Sequence, residues 1–101
     1  MATDVTNGIG AELTLAAATP QLISIVPVPG TDGAHKSAMT CKVYNTGATT
    51  IYAVVNADLA NYVRASAIPI PAGENQWFVG QPIKKLIVES VAGGTATYGA
   101  Y

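Results

Sequence analysis

Apolar and polar positions alternate with a period of two along most of this chain. In MTCKVY, Met39, Cys41 and Val43 fall on one side while Thr40, Lys42 and Tyr44 fall on the other, the spacing of a strand with one buried face. Thr50 to Val55 repeats the pattern, and Leu86 and Val88 alternate with Lys85, Ile87 and Glu89. Further strands are expected at Leu22 to Val28, around Ile68 and Ile70, and at Gln76 to Val79, with Glu12 to Ala16 a weaker candidate. Ala57 to Ala65 is the one helix-like stretch: Leu59, Tyr62 and Val63 stand at i, i+3 and i+4 and Asp58 is placed to cap, so that either a short helical turn or a long strand-to-strand excursion is expected there.

Gly and Pro recur at short intervals between these segments, from Pro20, Pro27 and Pro29-Gly30 to Gly93-Gly94 and Gly99. Short strands rich in Val, Ile, Thr and Tyr, separated by such breakers, are the pattern of an all-β sandwich or barrel. Two hairpins are expected. One joins Met39–Tyr44 to Thr50–Val55 through Asn45-Thr46-Gly47-Ala48-Thr49, with the Asn and Gly supplying positive φ. The other joins LIVES to TATYG around Gly93-Gly94. Residues 1–20 are Ala-, Thr- and Gly-rich with little alternation, and read as an N-terminal arm or edge segment, followed by one β-sandwich domain over 21–101.

Composition narrows the function. The chain has 101 residues, enough for one domain. Only 11% of its residues are charged, against about 25% in an ordinary soluble domain. A surface so poor in charge is weak at keeping copies apart, and it suits either a protein whose faces are covered within an assembly or a weakly charged secreted domain. The net charge of −1 and five dispersed cations give no footprint for nucleic acid. No apolar run approaches the roughly 18 residues of a membrane-spanning helix. The N-terminus has no basic and apolar leader pattern, which points to synthesis in a cytoplasm. Cys41, the single cysteine, cannot form an internal disulfide and reads as a buried, inert thiol.

Candidate chemistry is thin. The single histidine, His35, lies in PGTDGAHKS with Asp32 and Ser37 close by, but three such residues in one loop do not readily form a triad. The carboxylates Asp4, Glu12, Asp32, Asp58, Glu74 and Glu89 stand singly, without the spacing of a metal site. Gly8-Ile9-Gly10 lacks the third glycine and the frame of a dinucleotide turn. No catalytic, cofactor-binding or metal residue is therefore assigned, and an enzyme is not expected.

The richest stretch is PAGENQWF, which places Glu74, Asn75 and Gln76 before the only Trp and the only Phe. An indole beside a carboxylate and two amides is the equipment of a sugar-binding platform. Adjacent strand residues point to opposite faces, however, so Trp77 and Phe78 cannot both enter the core or both line one platform. One aromatic in the core and one at a contact is the expected arrangement. Pro71 to Glu74 has the Pro and Gly placement of a tight turn, with Glu74 at its rim.

The run IPIPAGENQWFVGQPIKKLIVESVAGGTATYGAY from Ile68 to Tyr101 resembles the C-terminal part of small tailed-bacteriophage virion proteins. There an I-P-A-G-E turn leads to an aromatic strand, a G-x-P-I-K step and a last strand pair around a Gly-Gly or Gly-Thr turn. VYNTGATTIYAVVN is similar in style to the N-x-G hairpins of the same proteins. The likeness covers about two-thirds of the chain and carries over no functional residue. It implies a β-sandwich or jelly-roll-like subunit, to which the chain's own pattern adds about seven or eight short antiparallel strands, an extended N-terminal arm and at most one short helix near residues 57–65. It also implies a capsid decoration protein that forms homo-oligomers and contacts the major capsid protein. A glycan-binding fibre or spike module, or a connector subunit, is the alternative. The contact residues expected on this view are Thr3, Asp4, Val5 and Ile9 in the arm, Trp77 and Phe78, Ile87, and the terminal Tyr98 and Tyr101.

Overall fold

A computed structural model describes residues 10–25, 28–29, 35–36 and 38–100. Among these described residues ten strands follow one another: β1 Gly10–Leu15, β2 Gln21–Ser24, β3 Val28–Pro29, β4 His35–Lys36, β5 Ala38–Asn45, β6 Ile51–Val55, β7 Ile68–Ile70, β8 Asn75–Ile83, β9 Lys85–Ser90 and β10 Gly94–Ala100. Two short 3₁₀ turns, Leu59–Asn61 and Arg64–Ser66, interrupt the excursion between β6 and β7. Eight strands form two antiparallel four-stranded sheets, sheet A in the order β1-β10-β5-β8 and sheet B in the order β2-β9-β6-β7, while β3 and β4 make a separate ribbon.

The two orders correspond rank by rank. β1 is followed in the chain by β2, β9 by β10, β5 by β6 and β7 by β8, and the members of each couple occupy the same rank in opposite sheets. The pairs β1·β10, β2·β9, β5·β8 and β6·β7 together form one long antiparallel ribbon, wound so that β10 also pairs with β5 and β9 with β6. This winding is a jelly roll.

Alternation supplies the core. Leu13 and Leu15 of β1, Cys41 and Val43 of β5, Ile51 and Ala53 of β6, Leu86 and Val88 of β9, and Ala96, Tyr98 and Ala100 of β10 all point between the sheets and are buried. Residues 10–15 thus form an edge strand of sheet A, registered against β10 along its whole length from Gly10↔Gly99 to Leu15↔Gly94. Met39 departs from the expected alternation and is exposed. The register with β8 shifts at that point, from Ala38↔Ile83 to Thr40↔Val79, so that Met39 faces the bulged Gly80-Gln81-Pro82.

Both expected hairpins turn out to be arches between sheets. β5 lies in sheet A and β6 in sheet B; β9 lies in sheet B and β10 in sheet A. Neither Asn45 nor Gly47 takes positive φ. Instead the Gly47 N–H donates to Asn45 Oδ1 at 3.0 Å, and Asn45 Nδ2 donates to the Thr49 and Ile70 carbonyls at 2.7 and 2.9 Å. The side chain of a fully buried Asn45 thereby carries the chain across the sandwich. Gly47 is there for space, since a Cβ would meet the Thr95 backbone nitrogen at 3.1 Å.

The Pro71 to Glu74 turn forms as expected. Glu74 N–H donates to the Pro71 carbonyl at 3.1 Å, and Gly73 holds φ of 79° at the third position, the requirement of a type II turn. At the other end of the sandwich, Lys84 alone links β8 to β9. Asn56, itself at φ 58°, clips that corner by accepting from Lys84 N–H at 2.9 Å and donating Nδ2 to the Pro82 carbonyl at 2.8 Å.

Candidate functional site

Strand β8 separates the two aromatics. Phe78 pairs with Cys41 and packs against the core, whereas Trp77 pairs with Lys42 on the outer face of sheet A and is 48% exposed. Lys42 Nζ stands 5.4 Å from the Trp77 ring centroid, a cation–π contact. Tyr44 lies in the next outward row, between Thr97 and Asn75, and Val79 lies beyond Trp77 opposite Thr40. Tyr44, Val79 and Met39 are all exposed.

The outer face of sheet A therefore has two halves. Over β1 and β10 it presents Glu12, Thr14, Thr95 and Thr97; over β5 and β8 it presents Thr40, Lys42, Tyr44, Asn75, Trp77 and Val79. Glu12 and Lys42 are its only charges among the described strand residues. A face with an exposed indole, a phenol and aliphatic groups beside small hydroxyls, and with so few charges, is chemically suited to being covered by another surface.

The residues beside Trp77 do not converge on it as a group. Asn75 shares its face, Gln76 alternates away and donates Nε2 to the Trp77 carbonyl at 3.1 Å, and Glu74 stays in the exposed turn.

Two expected contact residues are redirected by the fold. Tyr98 faces inward on β10 and is 2% exposed, so it belongs to the core. Its position on a central strand, between β1 and β5, gives its inner face no outlet to solvent. Ile87 is on the outer face of β9, as its alternation requires, yet it is fully buried. Leu22 and Val54 flank it in the sheet, and the excursion after β6 is bonded to Lys85 and Glu89 on either side of it. Thr3, Asp4, Val5, Ile9 and Tyr101 lie outside the described residues, as do Asp32 and Ser37.

That excursion assembles a polar cluster that the linear pattern did not signal. Glu89, 4% exposed on the outer face of β9, accepts from Tyr62 Oη at 2.9 Å and from Arg64 Nε and Nη2 at 3.1 and 3.0 Å. The Arg64 guanidinium also stands 5.7 Å from the Tyr52 ring centroid. Arg64's hydrogen bonds hold the Glu89 carboxyl below its usual range despite burial, and Tyr62's bond adds to the effect. Burial, followed by the Glu89 bond, pushes the Tyr62 hydroxyl up. Asp58 does not cap the 3₁₀ turn that follows it; its carboxylate pairs with Lys85 Nζ at 2.6 Å instead. Leu59 and Val63 remain exposed rather than forming a buried helical face.

Elsewhere the chemistry is sparse. Burial pushes the Cys41 thiol up to about 12, so a thiol-reactive disulfide reagent at pH 8 is expected to leave the folded protein unlabelled and to label it fully in denaturant. Rapid labelling of the native protein would contradict this. His35 sits in β4 opposite Pro29. Among the described residues no three His, Cys, Asp or Glu side chains come together as a metal site.

Comparison with models of known protein families gives no match, and comparison with curated proteins finds none that is significantly similar.

Proposed function

We propose that this protein is a non-enzymatic virion structural protein, a capsid decoration subunit that forms homo-oligomers and stabilises the shell by covering neighbouring subunits. The observation that carries this reading is the outer face of sheet A, where Trp77, Tyr44 and Val79 are exposed on a surface with Glu12 and Lys42 as the charges among its described strand residues. The low overall charge and the likeness of Ile68 to Tyr101 to phage virion proteins support it. A subunit that binds only the assembled shell stabilises that state by mass action, and symmetry repeats each small interface many times.

The test is binding to preformed shells, with shell thermal stability as a second readout. Trp77→Ala with Val79→Asp is expected to weaken binding by about 30-fold or more, the loss typical of a buried aromatic anchor, while circular dichroism stays that of the parent. Unchanged binding removes this face from the interface. A parent protein that stays monomeric and associates with no virion component overturns the whole reading. Deleting residues 2–9, which stops short of β1, tests the arm separately.

A second reading, a glycan-binding module of a fibre or spike, is favoured by the half-exposed Trp77 sharing its face with Asn75 and Tyr44. It predicts Trp77 fluorescence that shifts on glycan binding and a loss of that binding in Trp77→Ala. Copy number per particle separates a decoration protein from a connector ring.

A further inference from the structure

The excursion between β6 and β7 is tied to the outer face of sheet B through Lys85 and Glu89, but its two 3₁₀ turns bury no side chain. Its hold on the sheet is polar. Asn56 pins its base through the Lys85 carbonyl, the Pro82 carbonyl and Lys84 N–H. Beyond that base, Asp58 reaches Lys85 while Tyr62 and Arg64 reach Glu89. Lys85 and Glu89 are the two outward residues that bracket Ile87 on β9, so a segment attached to both must pass over it. This explains how an outward-facing isoleucine comes to be fully buried.

The two attachments are unequal. The Asp58–Lys85 pair is exposed on both sides, with side-chain exposures of 62% and 44%, and such pairs hold little. Glu89 is buried and takes three charge-assisted or hydroxyl hydrogen bonds from two strap residues. A segment with few buried apolar contacts and one strong polar tie sits at the low-stability end of a structure.

We propose that residues 57–67 form a strap latched to sheet B by the Glu89 carboxylate, and that the strap opens as a unit from its base at Asn56, with the sandwich intact, when that charge is removed. Opening uncovers Ile87, which then joins the already exposed Leu22 and the half-buried Val54 in one apolar row across β2, β9 and β6. The groups facing Glu89 are Arg64 and Tyr62 from the strap and Tyr52 from β6; Lys85, further along β9, is engaged by Asp58, and β2 brings no charged side chain. Glu89's folded pKa lies below its unfolded value. The latch is therefore complete at neutral pH and is lost as pH falls through the depressed value.

Two measurements decide the matter. In Glu89→Gln, which keeps the side-chain shape, hydrogen exchange at residues 57–67 is expected to quicken at least tenfold while β5 and β10 keep their protection. Equal acceleration of strap and sandwich, or an unchanged strap, overturns the proposal. Should that variant fail to fold, an acid titration of the unmodified protein by NMR stands alone. The strap amides and the Tyr62 ring are expected to change together below the ordinary glutamate range, while β5 and β10 signals hold. Strap signals that outlast those of the sandwich as the pH falls, or that vanish together with them, count against it. Asp58→Asn should leave the midpoint in place, and a shifted midpoint would transfer the latch to Asp58 and overturn the assignment to Glu89.

Discussion

Tyr98→Ala is expected to cost the sandwich about 3–5 kcal/mol, the range for removing a large aromatic from a packed core. Tyr98 is 2% exposed on the inner face of β10, with Ala96 and Ala100 beside it on the same strand. Small neighbours on its own strand mean that the ring fills space that nothing else on β10 can reach, so its loss leaves a cavity rather than a repacked layer. Against a total stability of about 5–15 kcal/mol for a domain of this kind, that removes a large share. In urea the midpoint should fall with the slope unchanged, and the thermal midpoint should fall by roughly 12 °C or more. Tyr98→Phe, which keeps the ring, should lose far less. An alanine variant that folds as stably as the parent but fails to assemble would return Tyr98 to the contact surface.

Asn45→Ala comes next, at about 2–4 kcal/mol. The native side chain satisfies the Thr49 and Ile70 carbonyls and the Gly47 N–H, with the Asn45–Ile70 bond buried. Alanine removes all three bonds at once and leaves backbone groups at a sheet crossing without partners, each costing about 1–3 kcal/mol where water cannot reach. Asn45→Asp retains the acceptor for Gly47 but places a carboxylate against two carbonyls, and should be no better. Equilibrium denaturation reads the loss. Hydrogen exchange should locate it first at the β5–β6 and β7–β8 crossings, because Asn45 backbone groups also bond Gly73 and Glu74. A loss below about 0.5 kcal/mol would show that the arch is held by its flanking strands alone.

These two residues also mark where sequence reading succeeded and where it stopped. Alternation identified β5, β6, β9 and β10 and the facing of Phe78 against Trp77, because a period of two is imposed by the backbone of a strand whatever its neighbours. It could not say which strands pair. N-T-G and A-G-G loops serve a hairpin within one sheet or an arch between two, and the choice falls to Asn45, whose partner at Ile70 is 25 residues away. Tyr98 illustrates the same gap. An aromatic near a terminus reads as available for contact until β10 is found in the middle of sheet A, between β1 and β5. Ile87 adds a third case. Its outward direction was legible, but its burial depends on a strap fixed by Arg64 and Glu89, also 25 residues apart.

By itself, then, the sequence determined an all-β sandwich of short strands, low charge, an inert buried cysteine, the Pro71 to Glu74 turn and the division of Trp77 from Phe78. Each of these follows from local sterics, period or composition, which act over a few residues. Only the tertiary structure decided the jelly-roll winding, the arches in place of hairpins, the inward Tyr98, the covered Ile87 and the Glu89 cluster. Those depend on contacts between residues far apart in the chain, where the energy of a buried amide or carboxylate is fixed by partners that no local pattern names.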